Sequence, residues 1–205
     1  FQGVKSINWA DFLPKDANFI VSGKSLKSTL SSVPACQKIT EKAIVEKLKL
    51  TYKGVEYFSK SGALYKVQVA ILKDNVTITL DTSGTGLHKR GYRENQLSAP
   101  LKETLASALI DLSYYKKDRI LIDPTCGSGT IAIEAAMIAK IIAPGLMRNF
   151  ASENWDFIDK SYWKENRKDA YSKIDVNCRP EIYASDIDEK AIQIAKGNAK
   201  IAGVD

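Results

Sequence analysis

Residues 121–131 read LIDPTCGSGTI: an apolar run, Asp123 and Pro124, a turn holding Gly127, Ser128 and Gly129, and then a stretch of helical character. Two glycines at a strand-to-helix junction let the backbone approach a ligand closely, because no Cβ stands in the way. The first N–H groups of the following helix favour an anion there. Three ligands compete for such a turn. A nucleoside-triphosphate loop of the form GxxxxGK[ST] needs a lysine, and Thr130 and Ile131 follow Gly129 instead. A dinucleotide turn, GxGxx[GA], is satisfied by Gly127, Gly129 and Ala132, and stays open. S-adenosylmethionine (SAM) uses the same geometry with two acids. Asp123, at the end of the first strand, can take the amino group. Asp186, at the end of the next strand, can bind both ribose hydroxyls. An empty tight turn is the remaining alternative, and two acids at two strand ends weigh against it.

Outward from this turn, the second half of the chain alternates. RILID (119–123) predicts a short buried strand, and TIAIEAAMIAKIIA (130–143) a buried helix closed by Pro144-Gly145. Residues 146–180 read as irregular and aromatic, packed as an insertion on their own domain. EIYASD (181–186) predicts a second strand. DEKAIQIAKGNAKIAG (188–203) predicts a helix with Asp188 as N-cap and Gly203 as its stop. Before the turn, LKETLASALIDL (101–112) carries an apolar stripe of Leu101, Leu105, Ala108, Leu109 and Leu112. Strand, glycine turn, helix, insertion, strand, helix is the opening of a doubly wound α/β domain.

The first half reads as a small α+β unit. Phe19 to Val21 predict a strand core followed by a Ser-Gly turn. Residues 34–50 predict a helix opened by Pro34, with Ile39, Ala43, Ile44 and Leu48 on one face. LYKVQVAIL (64–72) alternates Tyr65, Val67, Val69 and Ile71. VTITLDT (76–82) alternates Val76, Ile78 and Leu80, and the intervening KDN predicts a hairpin turn. The organisation expected is 1–80, an 81–100 linker rich in glycine and cations, and 101–205.

Charge is unevenly placed. Residues 1–100 hold 15 Lys and Arg against 8 Asp and Glu, and residues 101–205 hold 15 against 16. The excess lies in the first half, as a solvated lysine surface or a nucleic-acid face would have it. Lys89, Arg90 and Arg93, beside Tyr92, are the candidate RNA contacts; the alternative is a hinge whose cations cap the neighbouring domain. Three scattered cysteines and one histidine, His88, predict neither a metal site nor a disulfide framework, and a reducing, cytoplasmic setting is expected. His88 is expected in a structural or RNA-adjacent role. Cys126 is expected to pack under a ligand and not to act as a nucleophile. Phe1 is no initiator methionine, so the chain is expected to be a piece of something longer.

The stretches DTSGTGLHKRGYR, APLKETLASALI, DPTCGSGTIAIEAAMIA, APGLMRNFASENWDF and ASDIDEKAIQIAKGNAKIAGV together resemble the bacterial THUMP-domain RNA methyltransferases, especially the 23S rRNA guanine-N2 type, often labelled N6-adenine-specific DNA methylases. Residues 1–80 resemble the later part of a THUMP domain more loosely. The resemblance implies a partial Rossmann-like class I methyltransferase domain behind a small α+β RNA-binding domain, with SAM as cofactor and RNA, most plainly rRNA, as partner. It implies that Asp123, Cys126, Gly127, Ser128, Gly129 and Thr130 form the first SAM motif. Asp186 is then the ribose acid, with Ile187 beside the adenine. The family usually carries Phe where this chain has Thr125. Its Asn-Pro-Pro-Tyr-type motif, which positions an exocyclic amine, is not in these residues. No catalytic residue is therefore assigned, and this chain by itself is expected not to transfer a methyl group.

Overall fold

A computed structural model describes residues 1–55, 57–93 and 100–205. Residues 94–99 of the expected linker lie outside the described residues. The chain divides into two compact units: Phe1–Gly84 with Phe150–Asp159, and Thr85–Asn149 with Lys160–Asp205.

The first unit runs α1 (Gln2–Ser6), a 3-10 turn (Trp9–Asp11), β1 (Asn18–Leu26), α2 (Val33–Thr51), β2 (Leu64–Leu72) and β3 (Asn75–Leu80). β1 pairs parallel to β2, with Phe19 opposite Tyr65 and Gly23 opposite Val69. The helical crossover α2 is what a parallel pair requires. β2 and β3 form the expected hairpin, with Leu72 opposite Asn75. Its two turn residues, Lys73 and Asp74, both take positive φ, 49° and 62°. That is the primed geometry that matches strand twist. Asp74 also accepts hydrogen bonds from Ser28 Oγ (2.6 Å) and Thr29 N (2.8 Å), so the turn fixes the loop after β1.

Several expectations change here. No turn follows Val21: the strand continues through Gly23 to Leu26. A Cβ on Gly23 would stand 2.9 Å from Gln37 Cγ, so the glycine admits α2 close against the sheet. The buried face of α2 is Thr40, Ala43, Ile44 and Leu48, while Ile39 is exposed. Tyr65, Val67, Val69 and Ile71 are all buried as the alternation predicts, whereas Val76 on β3 is exposed.

Residues 150–159 pack into this unit. A 3-10 turn (Ala151–Asn154) delivers Trp155, which stacks on Tyr65 with centroids 5.0 Å apart and donates its indole N–H to Leu64 O (3.1 Å). Trp155 therefore belongs to the core of Phe19, Ile44 and Val67, not to an insertion packed on the second region.

The second unit holds α3 (Glu103–Leu112), β4 (Leu121–Asp123), α4 (Thr130–Ala139), α5 (Lys160–Ser172), β5 (Ile182–Ala184) and α6 (Glu189–Ala202). β4 and β5 pair in parallel, with Ile122 opposite Tyr183. α4 packs on both strands and on α3 and α6. It covers one face of the sheet: Asp123 is buried, while Ile120, Ile122 and Tyr183 are exposed. α4 ends at Ala139, before Pro144-Gly145. Ile141 takes a left-handed φ of 58° and Ile142 N donates back to Met137 O (2.8 Å). α5 is regular helix where the sequence read as irregular. α3 turns a different face inward: Glu103, Ala106 and Ile110 are buried, and Leu105, Leu109 and Leu112 are exposed. α6 matches expectation, with Asp188 Oδ1 accepting from Lys190 N (2.9 Å) and Gly203 at φ 70°.

Candidate cofactor site

The carboxyl ends of β4 and β5 lie side by side, and the chain laces them together. Ser185 N donates to Asp123 O (2.9 Å), and Cys126 N donates to Ser185 O (2.9 Å). A crevice beyond parallel strand ends is where open α/β sheets bind ligands. Asp123 is largely buried, and its Oδ1 accepts from Thr125 N (3.3 Å), which starts the turn.

Gly127 and Gly129 both take left-handed conformations, φ 53° and 81°. Gly129 is also the N-cap residue of α4. A Cβ there would meet Ala195 Cβ at 3.0 Å and Ile133 Cδ1 at 3.3 Å. Conformation and space both demand glycine at that position. Gly129 N donates to Cys126 O (2.8 Å), closing the turn. The Ser128 and Thr130 side chains are buried, and the Ser128 carbonyl accepts from Asn198 Nδ2 on α6 (3.1 Å). The turn is thus held from behind by α6.

Gly127 N donates to Asp186 Oδ2 (2.8 Å), and Asp188 N donates to Asp186 Oδ1 (3.0 Å). These backbone donors, Asp188 first and Gly127 second, pull the Asp186 carboxyl below the usual carboxylate range. Each oxygen keeps acceptor capacity for a further donor. Ile187 beside it is fully exposed. Cys126 is buried, and burial, then the charges of Asp123 and Asp186, push its thiol up, so it is a protonated packing residue at neutral pH. Glycines without Cβ, a helix N-terminus and an acid at each strand end fit a ligand that bears a carboxylate, an amine and a ribose.

The structure brings Asp123, Thr125, Cys126, Gly127, Ser128, Gly129, Thr130, Asp186 and Ile187 into one region. Among the linker cations, Lys89 is exposed, while Arg90 and Arg93 are partly buried and pair with carboxylates of their own unit. Arg90 pairs with Glu134 (3.4 Å). Arg93 pairs with Glu103 (3.4 Å) and donates to Thr130 Oγ1 (2.7 Å) and Leu101 O (3.1 Å). Glu134 also accepts from Tyr92 Oη (3.1 Å) and from Ser107 Oγ. Burial and then Glu134's charge drive the Tyr92 phenol far upward, so it stays a donor. Glu134, Glu103 and Asn198 escaped sequence reading. One acid inside the apolar run TIAIEAAMIA was the available signal, because a buried carboxylate demands partners. Among the described residues no cluster of side chains could hold a metal ion, and no helix is long and apolar enough to cross a membrane.

Comparison with known proteins agrees with this geometry. Residues 90–205 match the UPF0020 family model, described as RMKL-like, methyltransferase domain, and residues 1–81 match the THUMP domain. A Bacillus subtilis (strain 168) protein, "Putative RNA methyltransferase YpsC", is 54% identical over all of this chain, which covers 53% of it. The crystal structure of a "predicted N6-adenine-specific DNA methylase" from Listeria monocytogenes str. 4b F2365 superposes with a TM-score of 0.95 at 51% identity, over 99% of this chain and 53% of that one. The structure of SMU.472, complexed with SAH, superposes at 0.92 and 40% identity, over 99% of this chain and 54% of that one. The chain spans about half the length of these relatives. The fold is mixed α/β, and the chain belongs to the UPF0020 family, carrying its RMKL-like methyltransferase domain behind a THUMP domain.

Proposed function

We propose that this chain is the cofactor-holding and RNA-positioning part of a SAM-dependent RNA methyltransferase that acts on an exocyclic base amine. Guanine N2 of 23S rRNA is the favoured target, and tRNA guanine N2 and adenine N6 are the runners-up. The carrying observation is the joined cradle in which Gly127 N meets Asp186 Oδ2. SAM supplies an electrophilic methyl group. The residues of this chain bind and orient its donor: the turn at Gly127–Gly129 faces the methionine carboxylate, Asp123 the amino group, and Asp186 the ribose. Catalysis of this kind rests on placing the amine in line with the methyl, so positioning carries the rate. The SAH bound to SMU.472 and the RNA-methyltransferase name of YpsC support the reading. The proposed setting is cytoplasmic and metal-free.

Two measurements on the full-length protein test it. Calorimetry should find SAM and S-adenosylhomocysteine binding, and no NAD binding. Methyl mapping of rRNA from a deletion strain should reveal one missing base methylation. Intact rRNA methylation with a missing tRNA methyl group would move the target to tRNA. SAM and RNA binding with no methyl transfer to any RNA would leave a non-catalytic RNA-binding module.

A further inference from the structure

A cleft of about 650 Å³ opens in the second unit beside the cofactor turn. Lys89, Arg90, Arg93, Lys102 and Arg148 line it, with Glu103 as the one carboxylate among the described lining residues. The five cations divide into two kinds. Arg90 and Arg93 are held by Glu134 and Glu103. Arg148 donates to the carbonyls of Gly86 (2.9 Å), Lys89 (3.2 Å) and Thr85, and so shapes the loop that carries Lys89. Lys89 and Lys102 are exposed, and neither ammonium has an ion-pair partner among the described residues.

The backbone adds to this charge. Lys102 is the N-cap residue of α3, a ten-residue helix with no side-chain cap. The uncapped first-turn N–H groups contribute partial positive charge at the same place. Arg93 lines the cleft and donates to Thr130 Oγ1, the first residue of the helix that follows the cofactor turn. A single guanidinium thus connects the two sites.

We infer that this cleft seats a phosphodiester of the substrate RNA, with the ammonium groups of Lys89 and Lys102 as its ligands and the three arginines as a braced cationic wall. The inference rests on the RNA reading above and names the contact point for that partner. A compact, mobile ammonium suits a phosphate as a point charge, while the arginine forks are engaged with internal partners. Five cations among the described lining residues disfavour a cationic ligand there.

The test compares the full-length wild type with K89Q/K102Q and with K89R/K102R, by fluorescence anisotropy on an rRNA transcript across a salt series. The double glutamine variant should bind about tenfold more weakly at low salt, and its log K against log salt should flatten by about 0.7 to 0.9, the share of one phosphate. The arginine variant should restore both, and SAM affinity by calorimetry should be the same in all three. Inorganic phosphate should compete with RNA for the wild type more strongly than chloride at equal ionic strength, and RNA should displace it. An RNA-binding wild type whose glutamine variant keeps the same affinity and slope overturns this inference alone. Loss of SAM affinity in K89Q/K102Q also overturns it, because the cleft would then serve the cofactor. Phosphate binding that RNA does not displace overturns it in favour of a free anion. A wild type that binds SAM but no RNA overturns the RNA reading and this inference together.

Discussion

The backbone N–H of Gly127 donates to Asp186 Oδ2 across 2.8 Å, joining two strand ends that stand 59 residues apart in the chain. One hydrogen bond thereby sets the distance between the turn that would face a carboxylate and the acid that would face a ribose. Asp186→Asn keeps the shape and removes the charge. It should weaken SAM binding about 10- to 100-fold, the worth of one or two hydrogen bonds to a charged acceptor. Calorimetry checks this, and the melting temperature of the same sample should fall modestly, because the Asn amide turns its NH2 toward one of the two backbone donors, Gly127 N or Asp188 N, that Asp186 accepts from.

The pH dependence of this carboxylate has a definite sign. Its hydrogen bonds to Asp188 N and Gly127 N hold it below its ordinary value of 3.8 in the folded protein. A depressed folded pKa contributes stability above the unfolded value, which is lost as pH falls through the folded one. SAM affinity should therefore stay level from about pH 8 down to about pH 5 on account of this group. A midpoint for cofactor loss near pH 6 that disappears in Asp186→Asn would contradict the assignment.

Gly129→Ala should cost about 1 to 3 kcal/mol, because φ is 81° and the added Cβ would meet Ala195 Cβ at 3.0 Å. Denaturant unfolding reads the stability change. Cofactor affinity should drop with it, since the turn can relieve the contact only by shifting.

Glu134 is the buried hub of Arg90, Tyr92 and Ser107. Glu134→Ala leaves the Arg90 charge buried without its carboxylate and should destabilise by about 3 to 5 kcal/mol. Tyr92→Phe removes one hydrogen bond to a charged acceptor and should cost about 1.5 to 3 kcal/mol. A double-mutant cycle between the two should show strong non-additivity, because they share one bond.

In the full-length protein, Cys126→Ala should leave methyl transfer within about twofold and tolerate assay without reductant. The thiol is buried and pushed up by its surroundings, so alkylation by iodoacetamide at neutral pH should be slow until the protein unfolds. Fast alkylation of the folded protein with loss of activity would restore the nucleophile alternative.

The glycine turn and its flanking acids were legible because their signals are local. Glycines at a strand-to-helix junction and acids at strand ends carry their meaning within a few residues, and Asp188 and Gly203 bounded α6 for the same reason. α3 was legible as a helix but not by face. Its apolar residues occur nearly all round, so periodicity alone chose Leu105, Leu109 and Leu112. The observed face is set by Glu103 reaching Arg93 and Ser107 reaching Glu134, partners from other elements. Trp155 lay beyond sequence reading in the same way, since its partner Tyr65 is distant in the chain. Arg90 and Arg93 left two readings open in the sequence, RNA contact or capping, because their carboxylate partners Glu134 and Glu103 lie on other elements.

The most direct test of the account is calorimetric titration of the full-length protein with SAM and, separately, with NAD, for wild type and Asp186→Asn. Wild type should show a single SAM site, weakened by the substitution, and no heat from NAD. NAD binding that depends on Asp186, with no SAM binding, would contradict it.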